Sequence, residues 1–266
     1  LALPVSHGIV AAVKSFRNEP PRHVLAGVFA VAMLMAAICH AAPRPLRAET
    51  NAPPFTAGVT NPPLRQIGPG VFQIGGVLLN KEKRTIQFPG VVNMTQGQVE
   101  YLLVHETGKT HESVLKTSVE PYHIHLAALL LRPKKTPEPH RIPGGPPDDP
   151  SGQKTGIVVR WQTGTEPREI PGEELVFNIG SRAAMPRADW IYNGSRVIDG
   201  TFLGQRDGSV ASVITDPDAL LNSMRPGRDK DDIWQVNTNT VPPVNTPVQI
   251  TLQFKDTDEH TPPNDH

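Results

Sequence analysis

Val99-Glu100-Tyr101-Leu102-Leu103-Val104-His105-Glu106-Thr107-Gly108-Lys109-Thr110-His111-Glu112-Ser113-Val114-Leu115 holds apolar side chains at alternate positions up to a Thr-Gly-Lys break, and a second apolar run follows. Period-two patterning on both sides of a glycine turn predicts two strands joined as a β-hairpin. Working outward, Val248, Ile250, Leu252 and Phe254 alternate with Gln249, Thr251 and Gln253, which predicts a strand with one wet face. Thr201-Phe202-Leu203 and Val210 to Ile214 flank Asp207-Gly208, a dipeptide suited to a type I′ hairpin turn. Further strands are expected at Gly156 to Gln162, Leu175 to Asn178 and Trp190 to Val197. Helix is scarce. Ser118 is placed to cap one helix, with Pro121 in its first turn and an apolar stripe of Ile124, Ala127, Ala128 and Leu131. A shorter helical segment is expected from Asp216 to Leu221. Strands following strands with few crossover helices predict an α+β fold, mainly antiparallel β with one principal helix and short helical turns.

The 266 residues carry 26 Lys+Arg against 26 Asp+Glu. A neutral sum argues against nucleic acid as a general partner, because neutralising phosphates needs a basic excess. Arg22-His23 precede an unbroken apolar run from Val24 to Ile38, and Cys39-His40-Ala41 close it. That is the n, h and c order of a Sec-type export signal, and the run falls short of the roughly 20 residues needed to cross a bilayer. Cleavage is expected after Ala41, giving a periplasmic or secreted protein whose membrane contact is confined to the signal. The cut removes Cys39, the one cysteine, so the mature chain has neither a disulfide nor a cysteine-ligated iron–sulfur cluster.

Proline marks the organisation. Six prolines in Pro43 to Pro63 and seven in Pro133 to Pro150 read as a tether and an insertion. The expected layout is an extension with signal peptide at 1–41, a disordered tether at 42–66, a single β-rich domain at 67–254 with an insertion at 133–150, and a polar tail at 255–266.

His105-Glu106, His111-Glu112, His123 and His125 concentrate four histidines within 21 residues. If the hairpin turns at Gly108-Lys109 and the helix folds back over the sheet, His111, Glu112 and His125 converge at the junction. Two imidazoles and a carboxylate suit a zinc-like divalent ion with an open position for water, the arrangement of a hydrolytic centre. The alternative is a set of hydrogen-bonded structural histidines, and the residues leave both open. The carboxylates around Asp216, Asp218, Asp229, Asp231 and Asp232 lack the EF-loop pattern. Ser195 has no Gly-x-Ser-x-Gly context. Trp161, Trp190 and Trp234 read as core side chains or as sugar-stacking faces.

Phe88 to Met94, Val99 to Val104, Thr107 to Ser113, Pro121 to Leu131, Trp190 to Ser195 and Asp216 to Leu220 together resemble the YdjY-domain family over about Gly70 to Phe254. The resemblance implies an exported bacterial protein with a single domain, and it implies no reaction. An iron–sulfur role sometimes attached to such families is not carried over, given the cysteine content. The leading expectation is a non-enzymatic extracytoplasmic module without a cofactor, binding another envelope component or a small ligand. The alternative is a metal-dependent hydrolase using His111, Glu112 and His125.

Overall fold

The computed structural model describes residues 62–131 and 151–255. The stretches expected to be an export signal, a tether up to residue 61, an insertion from 133 and a tail from 256 lie outside the described residues. In chain order the first half forms β1 (Leu64–Gly68), β2 (Val71–Ile74), β3 (Val77–Asn80), β4 (Thr85–Val92), β5 (Tyr101–His105), a 3-10 turn η1 (Thr110–Glu112), β6 (Ser113–Thr117) and helix α1 (Pro121–Leu131). Then come β7 (Gln153–Thr163), β8 (Glu166–Pro171), a second 3-10 turn η2 (Gly172–Leu175), β9 (Val176–Asn178), β10 (Ala183–Ala184) and β11 (Trp190–Tyr192). The remainder forms β12 (Val197–Ile198), β13 (Thr201–Phe202), helix α2 (Leu203–Asp207), β14 (Ser209–Ser212), β15 (Leu221–Ser223), β16 (Trp234–Val236) and β17 (Pro247–Phe254). β1 begins three residues inside the stretch assigned to the tether.

The α+β expectation is overturned. Eight strands in the order β4-β17-β7-β11-β15-β14-β5-β6 close on themselves through β4–β6 pairing, so the chain is a mainly β protein built on a closed eight-stranded barrel. Alternation along one strand reports which face is wet, but it carries no information on whether the sheet closes. Register supplies the closure. Ile250 pairs with Phe88 and Val159, and Leu252 with Ile86 and Ile157, so three strands turn one apolar row inward. Ile86, Val159, Ile250 and Leu252 are fully buried, each such side chain contributing about 1.5–3 kcal/mol. The helices are closures on this barrel and do not form a separate layer.

The expected hairpin is also corrected. β5 and β6 run parallel, with Tyr101 opposite Ser113 and His105 opposite Thr117. Parallel neighbours ordinarily need a long crossover. Here each strand has five residues, and the connection from Glu106 to Glu112 is long enough to return outside the sheet. Gly108 lies against Gly208, where a Cβ on Gly108 would sit 2.8 Å from the Asp207 carbonyl oxygen, so the crossover packs on bare backbone. β14 and β15 form a second parallel pair. Gly208 serves a helix: with φ 67° and ψ 17° it ends α2 in the left-handed cap position in place of the expected I′ turn. Asp216 to Leu220 form a turn, with Asp216 Oδ1 accepting from the Asp218 amide, where a helical segment was expected.

Following the registers around the barrel separates its two ends. Thr85, His105, Gln153, Tyr192 and Phe254 gather at one; Val92, Tyr101, Ser113 and Pro247 gather at the other. α1 leaves β6 at the first end and buries Tyr122, Ile124, Ala127, Ala128 and Leu131 against the barrel, β2, β3 and α2. η2 closes the second end. A Cβ on Gly172 would lie 2.7 Å from Leu102 Cδ2 on β5 and 3.2 Å from Ile157 Cγ2 on β7, two strands on opposite sides of the ring. Among the described residues no helix is long and apolar enough to cross a membrane.

Candidate functional site

The residues named for a metal centre do not fit one ion. His111 sits on η1 ahead of β6 with an exposed ring, and its Nε2 is 3.7 Å from Glu112 Oε2. Glu112 Oε1 in turn lies 3.8 Å from Lys109 Nζ. His125 is on α1, beyond the other end of β6, where its Nδ1 shares a 2.8 Å hydrogen bond with the Tyr192 hydroxyl and its ring packs on Phe202 at 4.8 Å. The short helix start does bring His125 down onto the barrel, but the five extended residues of β6 run between His111 and α1 and leave His111 at the opposite end of that strand. His123 packs against Gly75, where a Cβ would meet its Nδ1 at 2.6 Å. His105 is buried, with Nδ1 2.8 Å from Thr107 Oγ1 and Nε2 3.9 Å from Glu120 Oε2, an oxygen that also accepts from Gln205. Among the described residues no group of three or more histidine, cysteine or acidic side chains is arranged to hold a metal.

Tyr101 joins the two crossover connections. Its hydroxyl donates to Asp216 Oδ2 at 2.8 Å and accepts from Lys109 Nζ at 2.7 Å, with the ammonium also 4.9 Å from the ring centroid. Burial, followed by the Asp216 charge, pushes the phenol well above its ordinary value and keeps it a donor. Beside it, burial and the nearby Glu112 raise the Glu100 carboxyl. Ser195, at φ 66°, donates to the Asp218 carbonyl at 2.6 Å and accepts from the Gly204 amide at 2.8 Å, which occupies its hydroxyl in a loop staple.

The end closed by η2 carries a buried ion pair absent from the sequence reading. Arg225 donates to Glu173, to the Pro186 carbonyl at 2.6 Å and to the Ala188 carbonyl at 2.5 Å, and it stacks 4.9 Å over Trp190. Burial lowers the guanidinium from its ordinary value, opposed by Glu173. Trp190 and Trp234 are fully buried and Trp161 nearly so, which makes them core side chains.

One concave polar site emerges from the course of β4. Val92 exchanges hydrogen bonds with Asn245 and Thr246, so the even positions of β4 face β17 and the odd positions face the other edge. Gln87 on that edge pairs with Leu78 of β3, whereas Val91 pairs with Lys116 of β6. Pro89 is the position between them. It has no N–H to leave unpaired, and its carbonyl accepts from Thr117 Oγ1 at 2.7 Å. The sheet forks there, and a cleft of about 120 Å³ opens between Pro89, Gly90, Val91, Glu106, Lys116, Thr117 and Ser118. The proline inside an alternating strand was the available signal for it, but the partner change depends on tertiary pairing.

No curated protein and no solved structure matches the chain. Residues 77–253 match the family model of the YdjY domain, from β3 almost to the end of the last barrel strand, and on a match covering more than half of its length the chain belongs to the YdjY domain family.

Proposed function

We propose that this chain is an exported bacterial protein whose barrel serves as a non-enzymatic extracytoplasmic module, either binding a small ligand or envelope component or holding a structural position. The observation that carries this reading is the dispersal of the reactive side chains. His111 and His125 lie at opposite ends of β6, and His105, His125, Tyr101, Glu112 and Ser195 each engage partners within the fold. Groups held this way contribute hydrogen bonds to stability and do not converge on one reacting atom. Export is supported by the Val24–Ile38 run and the small residue Ala41 at the expected cleavage point.

Metal analysis of the purified mature chain tests the non-enzymatic half. The expected result is no stoichiometric zinc, in the parent and in a His111→Ala/His125→Ala variant alike. Stoichiometric zinc that disappears in that variant would overturn it in favour of a metal-dependent hydrolase. N-terminal sequencing from the producing cell tests export, with Ala42 expected first and an intact Val24–Ile38 segment as the contrary result.

A further inference from the structure

The cleft at the fork is a product of the backbone, because β3 and β6 take successive stretches of the same edge of β4 and Pro89 stops either from continuing. Its walls hold two opposite charges. Glu106 is fixed at one side by its backbone amide, which donates to the Thr117 carbonyl at 2.9 Å. Lys116 is fixed at the other by its register opposite Val91, with a half-buried side chain. Among the described residues neither charged head forms an ion pair or a side-chain hydrogen bond, with each other or with any other group. Thr117 Oγ1 is taken by Pro89, and the other nearby acid, Glu120, is held by Gln205 and His105.

We propose that this cleft binds a small zwitterion, an ammonium and a carboxylate on one compact molecule such as a free α-amino acid, with Lys116 receiving the carboxylate and Glu106 the ammonium. The assignment rests on reading the domain as a binding module. A lone anion would meet Lys116 at the cost of Glu106, and a lone cation the reverse, so one charged group of each sign answers both walls. A cleft of about 120 Å³ holds several waters, which limits the occupant to a few heavy atoms beyond the charged pair. Charge-assisted hydrogen bonds to two backbone-anchored side chains supply the recognition.

The test is a titration of the isotope-labelled mature chain with glycine and with L-alanine, read as amide shifts of Glu106, Lys116, Thr117 and Ser118, beside parallel titrations with acetate and methylamine. Saturable shifts are expected with the two amino acids and not with the single-charge probes. Glu106→Gln and Lys116→Gln should each weaken binding at least tenfold with melting temperatures unchanged, whereas Lys83→Gln, at an exposed site elsewhere, should leave it as it was. Absence of saturation by either amino acid, equal saturation by acetate or methylamine, or undiminished binding in both cleft variants would overturn the proposal. Such a failure leaves the module reading standing, since that reading falls on zinc content instead.

Discussion

Arg225 is a buried charge stacked on the buried ring of Trp190, and its partner Glu173 belongs to the turn that seals that end. Removing the guanidinium leaves a carboxylate buried without its counter-ion. Arg225→Met should therefore cost about 3–5 kcal/mol, and Arg225→Met combined with Glu173→Leu should cost less than the single change, as urea midpoints will show. Gly172 is held to glycine by contact with both walls, so Gly172→Ala should lose about 1–3 kcal/mol by overpacking. His125→Ala should cost about 1–3 kcal/mol for the lost hydrogen bond to the Tyr192 hydroxyl and the lost ring packing on Phe202. Glu100 has the opposite character. Its carboxyl is raised by burial and by Glu112, so the folded state binds its proton more tightly than the unfolded state does. Stability then falls as pH rises from the unfolded value through the folded one, and Glu100→Gln should raise the melting temperature at neutral pH, with the gain vanishing in acid. Arg225 and Glu173 were invisible in the sequence, since neither sits in a motif and their meeting depends on strands that are remote along the chain.

Among the elements, α1 and β17 were legible and the two parallel pairs were not. The Ser118-to-Leu131 pattern carries a helical stripe and β17 a strict alternation, both local properties of the chain. β5 is buried on both faces and β6 is too except at Lys116, and a Thr-Gly-Lys break suits a hairpin as well as a tight crossover. Only the packing of Gly108 on Gly208 distinguishes the two. The candidate metal site fails for a separate reason: the five residues of β6 lie between His111 and the start of α1 whichever way β5 runs, so no turn at Gly108 brings His111 to the helix. The β4–β6 seam is short, with Thr117 and Pro89 extending it through a side chain. Thr117→Val should cost about 0.5–1.5 kcal/mol and speed hydrogen exchange at Glu106 and Lys116, with β17 amides unaffected.

At the scale of the molecule, closure ties the last strand to both halves of the chain: β17 pairs with β4 on one side and β7 on the other. Ending the chain at Thr246 should leave an open, unfolded product without a near-ultraviolet circular dichroism signal. In the intact chain, tryptophan fluorescence and far-ultraviolet dichroism should report one coincident thermal transition, because Trp161 and Trp190 belong to the ring and Trp234 pairs beside it. Such a fold, dominated by contacts remote in sequence, should refold slowly for its size. Arg84 adds a practical consequence. Its guanidinium donates to the carbonyls of Leu131 at 3.2 Å and Phe254 at 3.3 Å, while Lys255 accepts from Gln153 and donates to Lys154. The chain therefore leaves, re-enters and leaves the described fold at a single rim. A label attached to the Lys255 side chain would therefore stand on the same rim as Leu131, with the Arg225–Glu173 stopper at the far end of the barrel.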